Sequence, residues 1–286
     1  MEFAMNRFFD LLLTALAPAI WGSTYIVTTE LLPDGYPLSV ALLRALPAGL
    51  LLMVFTRKLP KGDWWWKILI LGGLNIAVFW WLLFIAAYRL PGGIAATVGA
   101  IQPLIVVFVA YFALGAPIRV ISILASLIGM AGVALLLFNP TSTLDPVGIL
   151  AGFGGAFSMA CGVVLTRKWQ PDVSLLTFTG WQLTAGGLLL LPFALLLEPP
   201  LPTLSLNNAI GFIYLGLIGA AFTYAIWFRG IARLSPNVVS PLGFLSPTMA
   251  VILGWIILGQ DLQMVQAFGF VLVFTSILLT GWRKAN

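Results

Sequence analysis

Four polar or aromatic side chains in the first apolar stretch of the sequence recur at i, i+3, i+4 and i+7, so they share one face of a helix. They are Trp21, Thr24, Tyr25 and Thr28. Polar groups within such a stretch cost free energy in hydrocarbon and tend to face a protein interior or a cavity. This face could bind a small molecule through indole and hydroxyl groups. It could also be a helix contact, because Gly22 and Ser23 are small residues of the kind found where helices pack closely.

Comparable side chains lie near the middle of other apolar stretches, and we expect them to complete a binding cavity with the first face. They are Asn75, Phe79, Gln102, Tyr224, Trp227 and Ser246. Two of them precede a proline, Pro103 in one case and Pro247 in the other. A proline inside a helix removes one backbone donor and frees an upstream carbonyl. That carbonyl either faces a ligand or only allows the helix to bend, and the sequence supports both interpretations equally.

Arg44 is the one charged residue well inside an apolar stretch, seven residues after Pro37. Its guanidinium could extend to the end of the stretch, pair with Glu30 or Asp34, or hold a substrate carboxylate through two parallel hydrogen bonds. The sequence favours the structural ion pair. The middle of every stretch lacks Asp, Glu and His, so proton antiport has no candidate group there. A carrier driven by the gradient of its own substrate is equally consistent.

Several classes of function are excluded by what the sequence lacks. It contains no Gly-x-x-x-x-Gly-Lys phosphate loop, so it is not an ATP-driven pump by itself. It contains no Gly-x-Ser-x-Gly or His-Glu-x-x-His motif and no histidine at all, so the usual catalytic triads cannot form. Cys161 is the single cysteine, which excludes an intrachain disulfide and a thiol metal site. We therefore expect no cofactor, no metal and no enzymatic activity.

The composition requires a membrane. Only 8% of the 286 residues are charged, 61% are hydrophobic and the mean hydropathy is +1.07. A soluble domain has about 25% charged residues, so most of the outer surface must face lipid. Each helical span needs roughly 20 apolar residues. The pattern predicts ten spans, at residues 9–32, 37–56, 64–88, 91–114, 117–138, 146–167, 173–197, 206–229, 236–258 and 263–282.

The basic residues predict the orientation of these spans, because cytoplasmic loops carry an excess of Lys and Arg. With a cytoplasmic N-terminus, twelve of the fourteen basic residues lie on the cytoplasmic side and Arg89 alone on the other. The twelve are Arg7, Arg57, Lys58, Lys61, Lys67, Arg119, Arg167, Lys168, Arg229, Arg233, Arg283 and Lys284. Five tryptophans stand at cytoplasmic span ends, as an interfacial belt requires: Trp64, Trp65, Trp66, Trp169 and Trp282. Both termini are then cytoplasmic, and the net charge of +5 needs no nucleic-acid partner.

The two halves of the sequence resemble each other. A shift of 144 residues superposes Arg89-Leu90 on Arg233-Leu234, Pro103 on Pro247, and Leu114-Gly115 on Leu258-Gly259. A shift of 138 superposes Gly49-Leu50-Leu51-Leu52 on Gly187-Leu188-Leu189-Leu190, and Arg44 on Gln182. Each half holds five predicted spans, an odd number, so the second copy enters the membrane in the opposite direction. Transporters commonly use such inverted repeats and bind substrate near the midplane, where the repeats meet.

These features resemble the drug/metabolite transporter superfamily, and within it the ten-helix bacterial exporters with two EamA-type repeats. The resemblance rests on Trp21-Gly22-Ser23-Thr24, on Pro103 and Pro247, and on Leu258-Gly259 with Gly269. The sequence departs from the pattern at Ala116 and at Gln260-Asp261, where an acidic residue commonly follows the glycine, and at Ser276, where Gly132 keeps the glycine of the other repeat. The resemblance implies export of amino acids, other metabolites or amphiphilic drugs. The aromatic-rich central helices are similar to those of the aromatic amino acid exporters.

The sequence therefore predicts an all-α integral membrane protein of ten transmembrane helices. Residues 1–140 would form the first five-helix EamA-type repeat, and residues 141–286 the second, inverted one. The predicted function is export of amino acids with broad selectivity, including phenylalanine, by alternating access from a bacterial inner membrane. The predicted partners are the small-molecule substrate and the lipid bilayer, with no nucleic acid, and a monomer is plausible. An exporter of cationic amphiphilic drugs, a channel or lipid-moving protein and an intramembrane enzyme are the alternatives.

Overall fold

The structure is a computed structural model that describes residues 2–90, 92–137, 145–259 and 262–281, and this part of the chain forms helices and no strand. Pieces that follow one another along one apolar stretch are numbered together. The bounds are α1 Glu2–Leu31; α2 Pro37–Thr56; α3 Trp64–Gly72, Gly73–Ala77 and Val78–Arg89; α4 Gly92–Gly99 and Gln102–Leu114; α5 Val120–Leu136; α6 Pro146–Lys168; α7 Leu175–Leu197; α8 Leu206–Ile213, Tyr214–Phe222 and Thr223–Arg233; α9 Pro236–Val239, Ser240–Phe244 and Leu245–Leu258; and α10 Met264–Gly281. The boundary between the predicted repeats, Gln260-Asp261 and Trp282 lie outside the described residues.

Eight helices of the described chain are long and apolar enough to cross a membrane, and they are α1 to α4 and α6 to α9. The other two apolar helices, α5 and α10, are shorter than the spans 117–138 and 263–282 that the sequence predicts. The 17 residues of α5 rise about 26 Å at 1.5 Å per residue. This length is close to the ~30 Å thickness of a hydrocarbon core. The outer surface is apolar, with Phe112 82% and Leu196 81% exposed, as lipid contact requires.

Helices α2 and α7 pack at the centre through two glycines. A Cβ added to Gly49 would lie 2.4 Å from the backbone nitrogen of Thr184, and one added to Gly187 would lie 2.7 Å from the Cβ of Leu46. The repeat shift of 138 residues relates Gly49 to Gly187 and Leu46 to Thr184, so the two contacts are equivalent. The two helices therefore make the same contact twice with exchanged roles, which is how a two-fold axis relates two copies of one element.

Helices α5 and α10 repeat this arrangement. A Cβ on Gly132 would lie 2.9 Å from the carbonyl oxygen of Gly269, and one on Gly269 would lie 2.7 Å from that of Gly132. Ser276, which replaces the glycine of the family pattern, donates a 2.7 Å hydrogen bond to the carbonyl of Ala125. The repeat shift of 144 residues relates Gly132 to Ser276 and Ala125 to Gly269, so this contact corresponds to that between Gly132 and Gly269. The serine thus satisfies its hydroxyl inside the symmetric contact.

Backbone conformations also agree between the halves. Gly115 ends α4 and Gly259 ends α9, both in the left-handed region with φ of 66° and 64°, which glycine adopts at little cost. Helix α4 is interrupted at residues 100–101 and α9 by a 3₁₀ turn over Ser240–Phe244. Both interruptions precede the predicted bends at Pro103 and Pro247. Helices α3 and α8 each contain a π-helical segment, at Gly73–Ala77 and Tyr214–Phe222.

Candidate functional site

An aromatic cluster joins α1, α3 and α8 in the interior of the bundle, and it consists of Trp21, Trp80, Tyr224 and Trp227. The ring of Trp21 lies 5.1 Å from that of Tyr224 and 5.2 Å from that of Trp227, and Trp80 lies 6.1 Å from Tyr224. Trp80, Tyr224 and Trp227 are buried, whereas Trp21 is half-buried. Trp21 therefore forms the accessible edge of an otherwise enclosed set of rings.

Arg44 lies beside this cluster on α2 and is buried at 9% exposure. Its guanidinium carbon is 4.7 Å above the ring of Trp80, and its Nη2 donates a 2.6 Å hydrogen bond to the carbonyl of Gly219. The Nε atom is buried without a hydrogen-bond partner. The predicted ion pair with Glu30 or Asp34 is not found among the described residues, where the ion pairs found include those of Arg89, Arg229 and Arg233.

A chain of hydrogen bonds connects Trp21 to Arg44. The indole Nε1 of Trp21 donates to the hydroxyl of Thr223 over 2.8 Å, and that hydroxyl donates to the carbonyl of Gly219 over 2.8 Å. The same carbonyl accepts from Arg44. Gly219 lies in the π-helical segment of α8, and segments of this kind are frequent at functional sites. The aromatic edge and the cation are thereby held in one hydrogen-bonded frame.

A second polar group, the amide cluster, joins α3, α6 and α7, and it consists of Asn75, Thr166 and Gln182. The Nδ2 of Asn75 donates to the hydroxyl of Thr166 over 3.0 Å and to the Oε1 of Gln182 over 2.8 Å. All three side chains are fully buried. The structure thus places Asn75 inside a contact between three helices.

Arg44 and the amide cluster occupy corresponding positions in the two halves of the molecule. A shift of 138 residues takes Arg44 to Gln182, and a shift of 144 takes Asn75 to Gly219. Arg44 bonds to the π-helical segment of α8, and Gln182 bonds to Asn75 in the π-helical segment of α3. Corresponding positions are therefore occupied by a cation in one repeat and a neutral amide in the other, but the bonds differ. Arg44 donates to a backbone carbonyl, whereas Gln182 accepts from the side chain of Asn75.

The remaining predicted residues lie around these two groups. Tyr25 is 49% exposed, and the hydroxyl of Thr24 is buried without a partner. Phe79 packs against the main hydrophobic core, which includes Trp80 and Tyr224. Gln102 and Ser246 are half-buried and lie just after the interruptions of α4 and α9. The backbone carbonyl of Ser246 faces Gly22, where a Cβ would come within 2.7 Å, so this part of α9 contacts α1 closely.

Sequence reasoning missed several residues of the site. Trp80 and Trp81 are adjacent in the sequence, so both cannot face the interior of the bundle. The structure buries Trp80 and packs Trp81 against Phe193, with the rings 4.8 Å apart. The i, i+3, i+4 spacing of Trp80 from other interior residues could have identified it. Thr223 and Gly219 carry no signal in the sequence for their roles.

The two ends of α1 are tied to α8. At one end Asp10 pairs with Arg229 over 2.6 Å and with Arg233 over 3.4 Å. At the other, the Nδ2 of Asn208 donates to the carbonyl of Leu31 over 2.8 Å. These contacts close the bundle around the aromatic cluster at both ends of α1.

The apolar surface, the apolar helices and the polar interior define a multi-pass membrane protein. The sequence profile of the EamA-like transporter family matches residues 9–138 and again residues 146–282. The chain belongs to the EamA-like transporter family, which confirms the resemblance to drug/metabolite transporters with two EamA-type repeats. It is therefore a membrane transporter.

Relatives and a solved structure agree with this family. Protein PecM of Dickeya dadantii (strain 3937) is 44% identical over 265 residues, covering 92% of this chain and 89% of PecM. The uncharacterized inner membrane transporter YedA of Escherichia coli (strain K12) is 31% identical, covering 91% and 87%. A crystal structure with 18% identity superposes with a TM-score of 0.81 over 95% of this chain and 96% of the other, which shows the same fold.

Proposed function

We propose that the chain is a carrier that exports small metabolites, chiefly amino acids with broad selectivity that include phenylalanine, from a bacterial cell. The observation that carries the proposal is the aromatic cluster with Arg44 beside it, where the two repeats meet. Aromatic rings accept large apolar side chains, with roughly 0.5–1.5 kcal/mol of ring contact beyond area burial. Such weak, non-directional contacts discriminate poorly, because a missing methylene is worth only about 1–3 kcal/mol. We expect methionine and threonine to be carried as well, with lower preference.

The proposal includes ten spans in two inverted repeats with both termini in the cytoplasm of a bacterial inner membrane. The exchanged contacts between α2 and α7, and between α5 and α10, support a two-fold relation between the repeats. The packing of α5 against α10 supports a membrane position for both, since each covers the small residues of the other. The name of YedA as an inner membrane transporter supports the location.

An exporter of cationic amphiphilic drugs is the second candidate, because tryptophan faces attract cations. The charge of Arg44 beside Trp80 argues against it, and no acidic residue of the described chain joins the aromatic cluster. A channel or lipid-moving protein would give flux that does not saturate. An intramembrane enzyme would convert an added substrate in detergent without any compartment.

Counterflow in proteoliposomes tests the proposal. Vesicles loaded with unlabelled phenylalanine should accumulate labelled phenylalanine from outside, and other amino acids should compete. Trp21→Ala should lower the exchange by roughly two- to tenfold, the range that its ring contacts correspond to. Trp65→Ala is the matched control, because Trp65 is 55% exposed at the start of α3, away from the cluster. Exchange of a cationic dye without exchange of any amino acid would establish the drug exporter instead.

A further inference from the structure

We propose that Arg44 is the carboxylate-recognition residue of this carrier, so that the carried molecules must have a free carboxylate beside an apolar or aromatic side chain. The inference rests on the proposed function and specifies its substrate class. It excludes amides, esters and simple cationic amines as substrates.

The first argument is the state of the guanidinium. Arg44 is buried, and none of the ion pairs found among the described residues includes it. A buried charge is normally paired, because its removal from water is costly. Arg44 has the face of Trp80, the carbonyl of Gly219 and the hydroxyl-bearing rings of nearby tyrosines, all of which are neutral groups. The missing counter-ion is therefore one that arrives from outside the protein.

The second argument is the geometry of the free donors. A guanidinium has five N–H donors. One of those on Nη2 is used by Gly219, whereas the single N–H on Nε is buried without a partner. Nε and an adjacent Nη present two parallel N–H groups, which match the two oxygens of a carboxylate. A cationic or neutral head group offers no such pair of acceptors.

The third argument comes from the other repeat. Gln182 occupies the position that corresponds to Arg44. Its Oε1 accepts from the side chain of Asn75 in the π-helical segment of α3, whereas Arg44 donates to the backbone carbonyl of Gly219 in that of α8. The corresponding helix contact in the other repeat therefore forms with a neutral side chain, and the charge of Arg44 is left for a ligand.

The fourth argument is the surroundings. The hydrogen bonds through Thr223 hold Arg44 in one frame with Trp21. A molecule whose carboxylate meets Arg44 would have its side chain beside the aromatic cluster. This arrangement matches an α-amino acid or another arylalkyl carboxylate.

The test compares ligands that differ in the carboxylate. Phenylalanine and 3-phenylpropionate should compete for labelled phenylalanine in counterflow, and phenylalaninamide should not. Arg44→Gln should weaken the binding of phenylalanine at least about 30-fold, as expected for the loss of one partner of a buried charge pair. Arg44→Lys should recover only part of the loss, because an ammonium lacks the planar fork. Arg89→Gln, which removes a half-exposed guanidinium paired with Asp145, should bind as the wild type does.

Melting in detergent separates recognition from folding. Arg44→Gln should melt at or above the wild-type temperature, since it removes a buried charge that has no counter-ion among the described residues. Phenylalanine should raise the melting temperature of the wild type and not that of Arg44→Gln. Equal competition by phenylalanine and phenylalaninamide in the wild type would overturn the inference and leave amino acid export standing. Unfolding of Arg44→Gln together with full affinity in Arg44→Lys would also overturn the inference and leave amino acid export standing. Absence of any amino acid exchange would instead overturn the proposed function. Arg44 would still be tested by melting, because 3-phenylpropionate should raise the melting temperature of the wild type and not that of Arg44→Gln.

Discussion

A single threonine connects the aromatic and the charged parts of the site at the scale of individual residues. Thr223 accepts a hydrogen bond from Trp21 and donates one to the carbonyl that Arg44 also uses. It is fully buried, so water does not replace a lost partner easily. The position of the Trp21 ring at the accessible edge of the cluster therefore depends on the Thr223 hydroxyl.

Thr223→Val tests this dependence, because valine keeps the shape and removes the hydroxyl. The indole N–H of Trp21 would lose its acceptor, which should cost about 1–3 kcal/mol of folding free energy if the group stays buried. We expect a lower melting temperature in detergent and weaker phenylalanine exchange. Thr275→Val is the control, since the Thr275 hydroxyl bonds only within the exposed face of α10. Wild-type exchange and melting in Thr223→Val would show that the hydrogen bond does not hold the ring.

The sequence could predict which residues are polar and central, but not what they bond to. The helical spacing of Trp21 and the midspan positions of Tyr224 and Trp227 identified three members of the aromatic cluster. The acceptor for Trp21 lies 202 positions further along the chain, and no local pattern encodes such a pair. Asn75 was predicted to line the cavity and is instead fully buried in the amide cluster. Helical periodicity predicts which residues share a helix face, but it does not predict which residues that face contacts.

Close helix contacts through glycine dominate at the scale of elements, and Gly49 makes the tightest one between α2 and α7. Gly49→Ala would force a Cβ to within 2.4 Å of the Thr184 backbone. Overpacking of this kind typically costs about 1–3 kcal/mol, so the melting temperature should fall. Gly99→Ala is the control, because no atom lies within 4 Å of the added Cβ. An unchanged melting temperature in Gly49→Ala would mean that α2 and α7 can separate without loss of stability.

Helix bounds were predictable where proline and glycine punctuate the sequence. The interruptions of α4 and α9 lie just before Pro103 and Pro247, where loss of a backbone donor made bends expected. The π-helical segments of α3 and α8 had no such signal, because a single extra residue per turn changes neither composition nor hydropathy. Those segments nevertheless supply Asn75 and Gly219 to the two related polar contacts.

At the scale of the whole molecule, the symmetric contacts between α5 and α10 raise the question of whether both helices cross the membrane. If α5 and α10 both cross the membrane, each repeat has five spans and the second copy is inverted. The basic residues outside the spans then lie on the cytoplasmic side with the single exception of Arg89. If α5 does not cross, everything after it changes side, and the charge distribution loses its asymmetry. At about 26 Å, α5 is slightly shorter than a hydrocarbon core of ~30 Å, so a crossing requires that it lie close to the membrane normal.

Reporter fusions decide between these topologies. Alkaline phosphatase, which is active only outside the cytoplasm, should be inactive when fused after Lys61, active after Ser142 and inactive after Asn286. A fluorescent protein that matures only in the cytoplasm should give the opposite result at each position. The Lys61 fusion is the internal control, because it depends on α1 and α2 alone. An inactive phosphatase after Ser142 would remove α5 from the membrane, and activity after both Ser142 and Asn286 would remove α10. Either result would contradict the inverted five-helix repeat, which requires an odd number of crossings in each half.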